Sequence, residues 1–212
     1  MANPVSGWEE DFAGKAILLT ALQTMTNAVM VRYAIDTKAS QFTVQAFASG
    51  LIAAVAHNPK IAIRDWTGTV RFMPETLGEA KFTAVVKAGS LEVLDELRDS
   101  ERRELHRVMY EEVLETRRFP EVEFESTSIT AERQKDNLYR VNVEGRLSLH
   151  GNTHSAAFVS QVAFGVDTFR AHGEFTLLQT DYGITIASIA GGTLKLQDEL
   201  KFRFYVIGRK QD

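Results

Sequence analysis

The chain has 212 residues, 44% of them hydrophobic and 25% charged, with a formal net charge of -4 and no cysteine. This is an ordinary globular composition with material for a sizeable core; its mild acidity argues against a nucleic-acid partner, which calls for a basic patch, and no polybasic cluster marks an anionic membrane surface. Without cysteine there is no disulfide, thiolate nucleophile or Cys-ligated metal, although that absence leaves the compartment open.

The first segment that needs a reading is "KAILLTALQTMTNAVMVR". Thr20, Gln23, Thr24, Thr26 and Asn27 interrupt its apolar run, and a membrane span needs roughly 20 mostly apolar residues, so no stable membrane span is expected. Glu9, Glu10 and Asp11 stand where a secretory signal carries basic residues. Residues 1–30 are therefore expected as an N-terminal extension, a short helix packed on the main domain or partly disordered, with a vestigial leader as the alternative.

From Tyr33 the texture is strand and turn. "QFTVQAF" sets Phe42 and Val44 against Thr43 and Gln45, and "KIAIRDWTGTVRF" places Ile61, Ile63, Val70 and Phe72 around Gly68. "AKFTAVVKAGSLEV" is β-branched. "FPEVEFESTSI" alternates Val122 and Phe124 with Glu121, Glu123 and Glu125. "LYRVNVEGRLSL", "AAFVSQVAFGV", "GEFTLLQTDYGI" and "GGTLKLQDELKFRFYVIG" follow, the last opposing Phe202, Phe204 and Val206 to Lys201, Arg203 and Tyr205. About eight strands with turns between them and no βαβ alternation predict a mainly β domain over residues 31–212, a closed or nearly closed eight-stranded antiparallel barrel with an apolar interior.

One segment departs from this pattern. "DSERRELHRVMYEEVLETRRF" is dense in helix formers, lacks Gly and Pro, and carries an apolar stripe of Leu105, Val108, Met109 and Val113. With Ser100 as N-cap, Arg117 and Arg118 at the C-terminal end and Pro120 as the stop, an inserted α-helix over about 100–117 is expected across the barrel or its mouth, as a plug with partial lid character.

Catalytic and metal signals are sparse. His150 and His154 could ligate zinc only with a third protein ligand, and the Gly151-Asn152 between them is a hairpin signal; the pair reads as a corner. Asp181 beside Gly183 suits a turn, and Asp198-Glu199 reads as a bulge or exposed edge. Neither a G-x-S-x-G nucleophile motif nor a phosphate-binding glycine loop occurs. No metal and no cofactor are expected.

The ordered segments "YAIDTKASQFTV", "AHNPKIAIRDWTGTVRF", "RRFPEVEFESTSI", "VEGRLSLHGNTHSAAF", "QTDYGI" and "LKLQDELKFRF" resemble the YceI-like, polyisoprenoid-binding family over about 180 residues. The resemblance implies a lipocalin-like barrel enclosing an apolar channel for a long isoprenoid or related amphiphilic lipid, bound without covalent chemistry. The chain differs from the family pattern in the longer run "QAFASGLIAAVAHNP" before the histidine, in its elongated charged helix, and in lacking a convincing signal segment. Within this reading the ligand-binding candidates are Phe42, Val44, Phe47, His57, Ile61, Ile63, Trp66 and Phe124, with His57 as the polar group nearest a head group or quinone-like oxygen. Its alternative role is a structural histidine beside a turn.

Two other functions stay open at this point. One is an enzyme acting on such a lipid, with His57 as base and Asp65 or Asp181 assisting; the other is a filled barrel serving as an interaction module. The expected partner is an isoprenoid or related lipid, and the resemblance together with a barrel edge admits a homodimer. A cytoplasmic location is expected, or a periplasmic one if the N-terminal segment is a leader.

Overall fold

The computed structural model describes residues 30–49, 58–74, 77–186, 188–189 and 194–212. The expected N-terminal helix and His57 lie outside the described residues. In chain order the strands are β1 Val31–Ile35, β2 Gln41–Gln45, β3 Ala48–Ser49, β4 Lys60–Ile63, β5 Trp66–Phe72, β6 Lys81–Lys87 and β7 Leu91–Val93. The helix α1 follows, Asp99–Arg107, running straight on into a π-helical turn at Val108–Val113. Then come β8 Glu121–Lys135, β9 Leu138–Leu149, β10 Asn152–Phe164, β11 Thr168–Leu178, β12 Ser188–Ile189, β13 Leu194–Leu196 and β14 Glu199–Gln211.

Eight of these close a ring in the order β1-β5-β6-β8-β9-β10-β11-β14, every neighbour antiparallel, with β14 pairing back to β1. β2, β4 and β7 extend three of the staves at one end. β14 takes β1 along its second half and β2 along its first, with Gly208 opposite Ile35 and Tyr205 opposite Gln41. The turn between them is built from short polar side chains. Asp36 Oδ1 accepts from Ala39 N at 3.2 Å, Ser40 Oγ accepts from Ile207 N at 3.0 Å, and Arg209 reaches Asp36 at 2.7 Å. β4 continues β5 in the same way, and β7 continues β6 past a 3-10 turn at Ala88–Ser90, where Ser90 Oγ accepts from Asp65 N. β3, β12 and β13 form a separate three-stranded sheet.

Strand alternation sends the apolar residues inward. The end of the barrel that holds β1 is filled by aromatic rings: Tyr33 stacks on Phe72 at 5.6 Å and meets Phe169 at 5.4 Å, and Phe72 meets Phe164 at 5.4 Å. All of Tyr33, Phe72 and Phe169 are buried. Such rings need space that a neighbouring side chain would occupy. Phe169 lies over Gly208 and Phe124 over Gly145, so that a Cβ on either glycine would come within 2.1 Å and 2.4 Å of a ring carbon. Glycine facing inward on a barrel strand is thus the counterpart of an aromatic ring beside it.

At the other end β7 ends its row, with no described strand on its outer side, and α1 packs there. The Arg102 guanidinium donates to Val93 O at 2.7 Å and Asp95 O at 2.9 Å, and Tyr110 donates to Leu91 O. The helix begins where Arg98 is still extended and the Glu101 carboxylate accepts from Arg98 N at 3.1 Å, so Ser100 sits inside the first turn rather than capping it. It stops at Val113, short of the expected 117, because Glu115 takes a left-handed conformation (φ 43°) and reverses the chain. Glu115 then pairs with the nearly buried His150 at 3.2 Å, and Phe119 packs on the same imidazole at 4.5 Å, with Arg118 over the Phe119 ring.

Among the described residues no helix is long and apolar enough to cross a membrane.

Candidate functional site

Between the aromatic floor and α1 the barrel encloses a cavity of about 480 Å³, within the roughly 300–1,000 Å³ of small-molecule pockets. Its wall follows directly from the period-2 pattern. β2 contributes Phe42, Val44 and then Ala46; β4, Ile61 and Ile63; β5, Trp66 and Val70; β6, Phe82, Ala84 and Val86; and β8, Val122, Phe124 and Ile129. On the far wall Phe158 from β10, Phe175 from β11 and Phe202 and Phe204 from β14 make a connected aromatic surface, with Phe175 and Phe202 stacked at 4.7 Å.

The roof is α1. Leu105, Val108, Met109 and Val113, the stripe read from the helical period, all face the cavity, and Leu114 joins them. Val113 and Leu114 reach across the mouth to pack on Leu149, Tyr182 and Ile184.

Six of the eight ligand-binding candidates therefore share one cavity: Phe42, Val44, Ile61, Ile63, Trp66 and Phe124. Phe47 does not line it. Inward positions on that strand run Phe42, Val44, Ala46, so Phe47 has the opposite parity, and its carbonyl accepts from Gln197 N at 2.7 Å. Asp65 is also absent from the cavity wall, on the exposed break between β4 and β5, so it is not brought together with Asp181.

The polar groups that do line the cavity lie almost entirely in one arc at the mouth: His154 and Ser155 at the start of β10, Thr176 near the end of β11, and Gln179, Asp181 and Tyr182 in the 3-10 turn beyond it. The exception is Ser160, deeper in the wall and bonded to His172 O at 3.1 Å. The turn is held from both sides. Gln179 is buried, and its amide nitrogen donates to Gln197 O at 3.0 Å and Asp198 O at 3.4 Å. Asp198 accepts from Thr180 Oγ1 at 2.5 Å and Thr180 N at 2.9 Å, bonds that hold its carboxyl below the usual carboxylate range. Asn152 bonds Tyr182 O at 2.8 Å, and Gly183 closes the turn in the left-handed conformation at φ 68°. Burial pushes the Tyr182 phenol up, and the adjacent Asp181 charge pushes it further.

His150 and His154 do not converge. The β9–β10 hairpin turns on His150-Gly151, both with positive φ and flanked by the Leu149–Asn152 pair, one residue earlier than the Gly151-Asn152 turn read from sequence. His150 points to Glu115 and Phe119, while the His154 ring meets Tyr182 edge-on at 5.3 Å. Among the described residues no group of three or more His, Asp or Glu side chains is placed to hold a metal ion. His154 is nevertheless part of the cavity lip, which the reading of it as a mere corner missed. The signal was available: His154, Ala156, Phe158, Ser160 and Val162 share one parity, and all of them line the cavity.

Solved structures resemble this architecture at low sequence identity. Burkholderia cenocepacia BcnA matches with TM-score 0.63 and 15% identity over 82% of this chain and 98% of that one. A polyisoprenoid binding domain from Saccharophagus degradans, implicated in plant cell wall breakdown, matches with TM-score 0.59 and 13% identity over 84% and 98%. The Campylobacter jejuni YCEI protein matches with TM-score 0.55 and 11% identity over 74% and 88%. No curated protein matches the sequence. The YceI-like domain model, by contrast, matches residues 33–207, which span the barrel, its inserted helix and the mouth turn together, and the chain belongs to the YceI-like family.

Proposed function

We propose that the protein binds and carries a long-chain isoprenoid or similar amphiphilic lipid, tail inside the barrel, with no covalent chemistry. The observation that carries this reading is the cavity of about 480 Å³ walled by hydrocarbon side chains, with its described polar groups almost all at the mouth. At roughly 30 Å³ per water-sized group, such a space holds at least about sixteen non-hydrogen atoms, or some three isoprene units. Burying fifteen carbons at roughly 0.8 kcal/mol each supplies on the order of 12 kcal/mol, enough for useful affinity where the pocket is preformed and the association cost sits at the low end of its range. The likeness to a polyisoprenoid binding domain points to the same class of ligand.

The enzyme reading finds no assembled constellation to support it among the described residues: Asp65 stands on the exposed break between β4 and β5 and does not line the cavity that Asp181 lines. The filled-barrel reading is disfavoured by the cavity itself. Mass spectrometry of an organic extract from freshly purified protein tests the proposal. A stoichiometric prenyl lipid supports it; no lipid, together with no uptake of added prenyl lipids, overturns it. Recovery of chemically altered lipid after long incubation would restore the enzyme.

A cytoplasmic location, with a periplasmic one as the alternative, and a homodimer are proposed, to be tested by fractionation and light scattering.

A further inference from the structure

The polar arc at the mouth is chemically one-sided, and that bears on what the lipid carries at its head; the argument rests on the carrier reading above. Both amide hydrogens of Gln179 face main-chain carbonyls, those of Gln197 and Asp198. Only an NH₂ group can serve two carbonyls, so the atom Gln179 has left to offer is its acceptor oxygen. Asp181 is the one charged side chain on the cavity wall among the described residues, and its carboxylate forms no ion pair among them. Tyr182 keeps its proton, since burial and the Asp181 charge both oppose ionisation, and its hydroxyl, those of Ser155 and Thr176, and the His154 ring can serve in either sense. The arc thus offers acceptors in excess and a single negative charge, with no described lysine or arginine to meet an anion.

We infer that the head group at this arc is a non-anionic hydrogen-bond donor, a hydroxyl or an N–H group, and that phosphate, diphosphate and carboxylate heads are rejected. An acceptor facing an acceptor leaves two groups unpaired at a partly desolvated site, which is costly. A diphosphate near Asp181 adds like-charge repulsion.

Fifteen-carbon probes fit the cavity and isolate the head group. Binding of farnesol, farnesylamine, farnesyl methyl ether, farnesyl diphosphate and the hydrocarbon farnesene is to be measured through the emission of Trp66, which forms part of the cavity wall. Farnesol and farnesylamine are expected to bind at least about tenfold more tightly than the diphosphate, and more tightly than the methyl ether, which keeps the oxygen and loses the donor. Asp181→Asn should narrow the gap between alcohol and diphosphate by roughly threefold or more. A diphosphate or methyl ether that binds as well as the alcohol, or a gap that Asp181→Asn leaves unchanged, overturns the head-group inference while the carrier reading stands. If no probe binds, farnesene included, it is the carrier reading that fails.

Discussion

Tyr110 donates its phenolic hydrogen to the carbonyl oxygen of Leu91, joining the π-helical end of α1 to the open edge of β7. Together with the two Arg102 bonds it gives β7 the hydrogen-bond partners that a neighbouring strand would otherwise supply. The roof of the cavity is held by side chains, not by a backbone ladder. Replacing both (Arg102→Ala with Tyr110→Phe) should remove about 2 kcal/mol of docking free energy, which raises the open fraction of the helix by roughly thirtyfold. Amide exchange over residues 99–113 should accelerate by that order while β9, β10 and β11 stay protected. Unchanged exchange in the helix would show that its apolar stripe alone holds it down.

The two kinds of glycine make a paired prediction. A Cβ on Gly145 would lie 2.4 Å from Phe124 Cζ and 2.5 Å from the Glu125 carbonyl oxygen, and backbone cannot step aside as a side-chain tip can. Gly145→Ala should cost about 1–3 kcal/mol by overpacking. At Gly89 an added Cβ would meet nothing within 4 Å, and the backbone there has no positive φ, so Gly89→Ala should be neutral or stabilising by up to about 1 kcal/mol through the unfolded chain. Urea midpoints of the two variants check both; equal effects would contradict the packing argument.

Filling the cavity should separate binding from folding. Ala156 faces the cavity beside Phe158 on β10. Ala156→Phe adds a ring to empty space and should leave stability within about 1 kcal/mol of the parent, since the penalty for extra volume applies to a filled core. Prenyl-lipid uptake should fall by about tenfold or more through the lost burial area. Full uptake by a stably folded Ala156→Phe protein would place the ligand outside the barrel.

Acid should act on the mouth through Asp198. Its carboxyl is held below the ordinary value chiefly by the Thr180 hydroxyl, then by the Thr180 amide. A carboxyl whose native value lies below its unfolded one stabilises the fold above the ordinary carboxylate range near 4. That contribution is lost as pH falls through the native value. Asp198→Ala should therefore cost about 1 kcal/mol at pH 7, discounted for solvent screening, and the deficit should shrink below the ordinary range. Denaturation of both proteins at neutral and strongly acidic pH measures it, and a deficit independent of pH would mean that the loss is one of packing.

The barrel and most of its lining were legible because strand parity and helical period each leave a mark on single residues. Phe42, Val44, Ile61, Ile63 and Phe124 face inward as their alternation implies, and so does the whole stripe on α1. Phe47 falls outside the cavity wall because its parity is opposite to that of Phe42 and Val44. The helix end was not legible: "VLETRRF" has helix-forming composition, and the reversed chain at Glu115 is anchored by His150, 35 residues further on, which Glu115 and Phe119 both meet. The mouth arc was missed for a similar reason. Gln179 and Tyr182 become lining residues through Asp198, Gln197 and Asn152, which are far away in sequence.

The ring stack of Tyr33, Phe72, Phe164 and Phe169 has a kinetic meaning beyond its packing. With these rings across that end of the barrel, on the carrier reading a lipid chain threads in tail first and backs out head first, in single file, through the mouth. Throughout its stay the head would remain at the threshold, beside Asp181 and Tyr182.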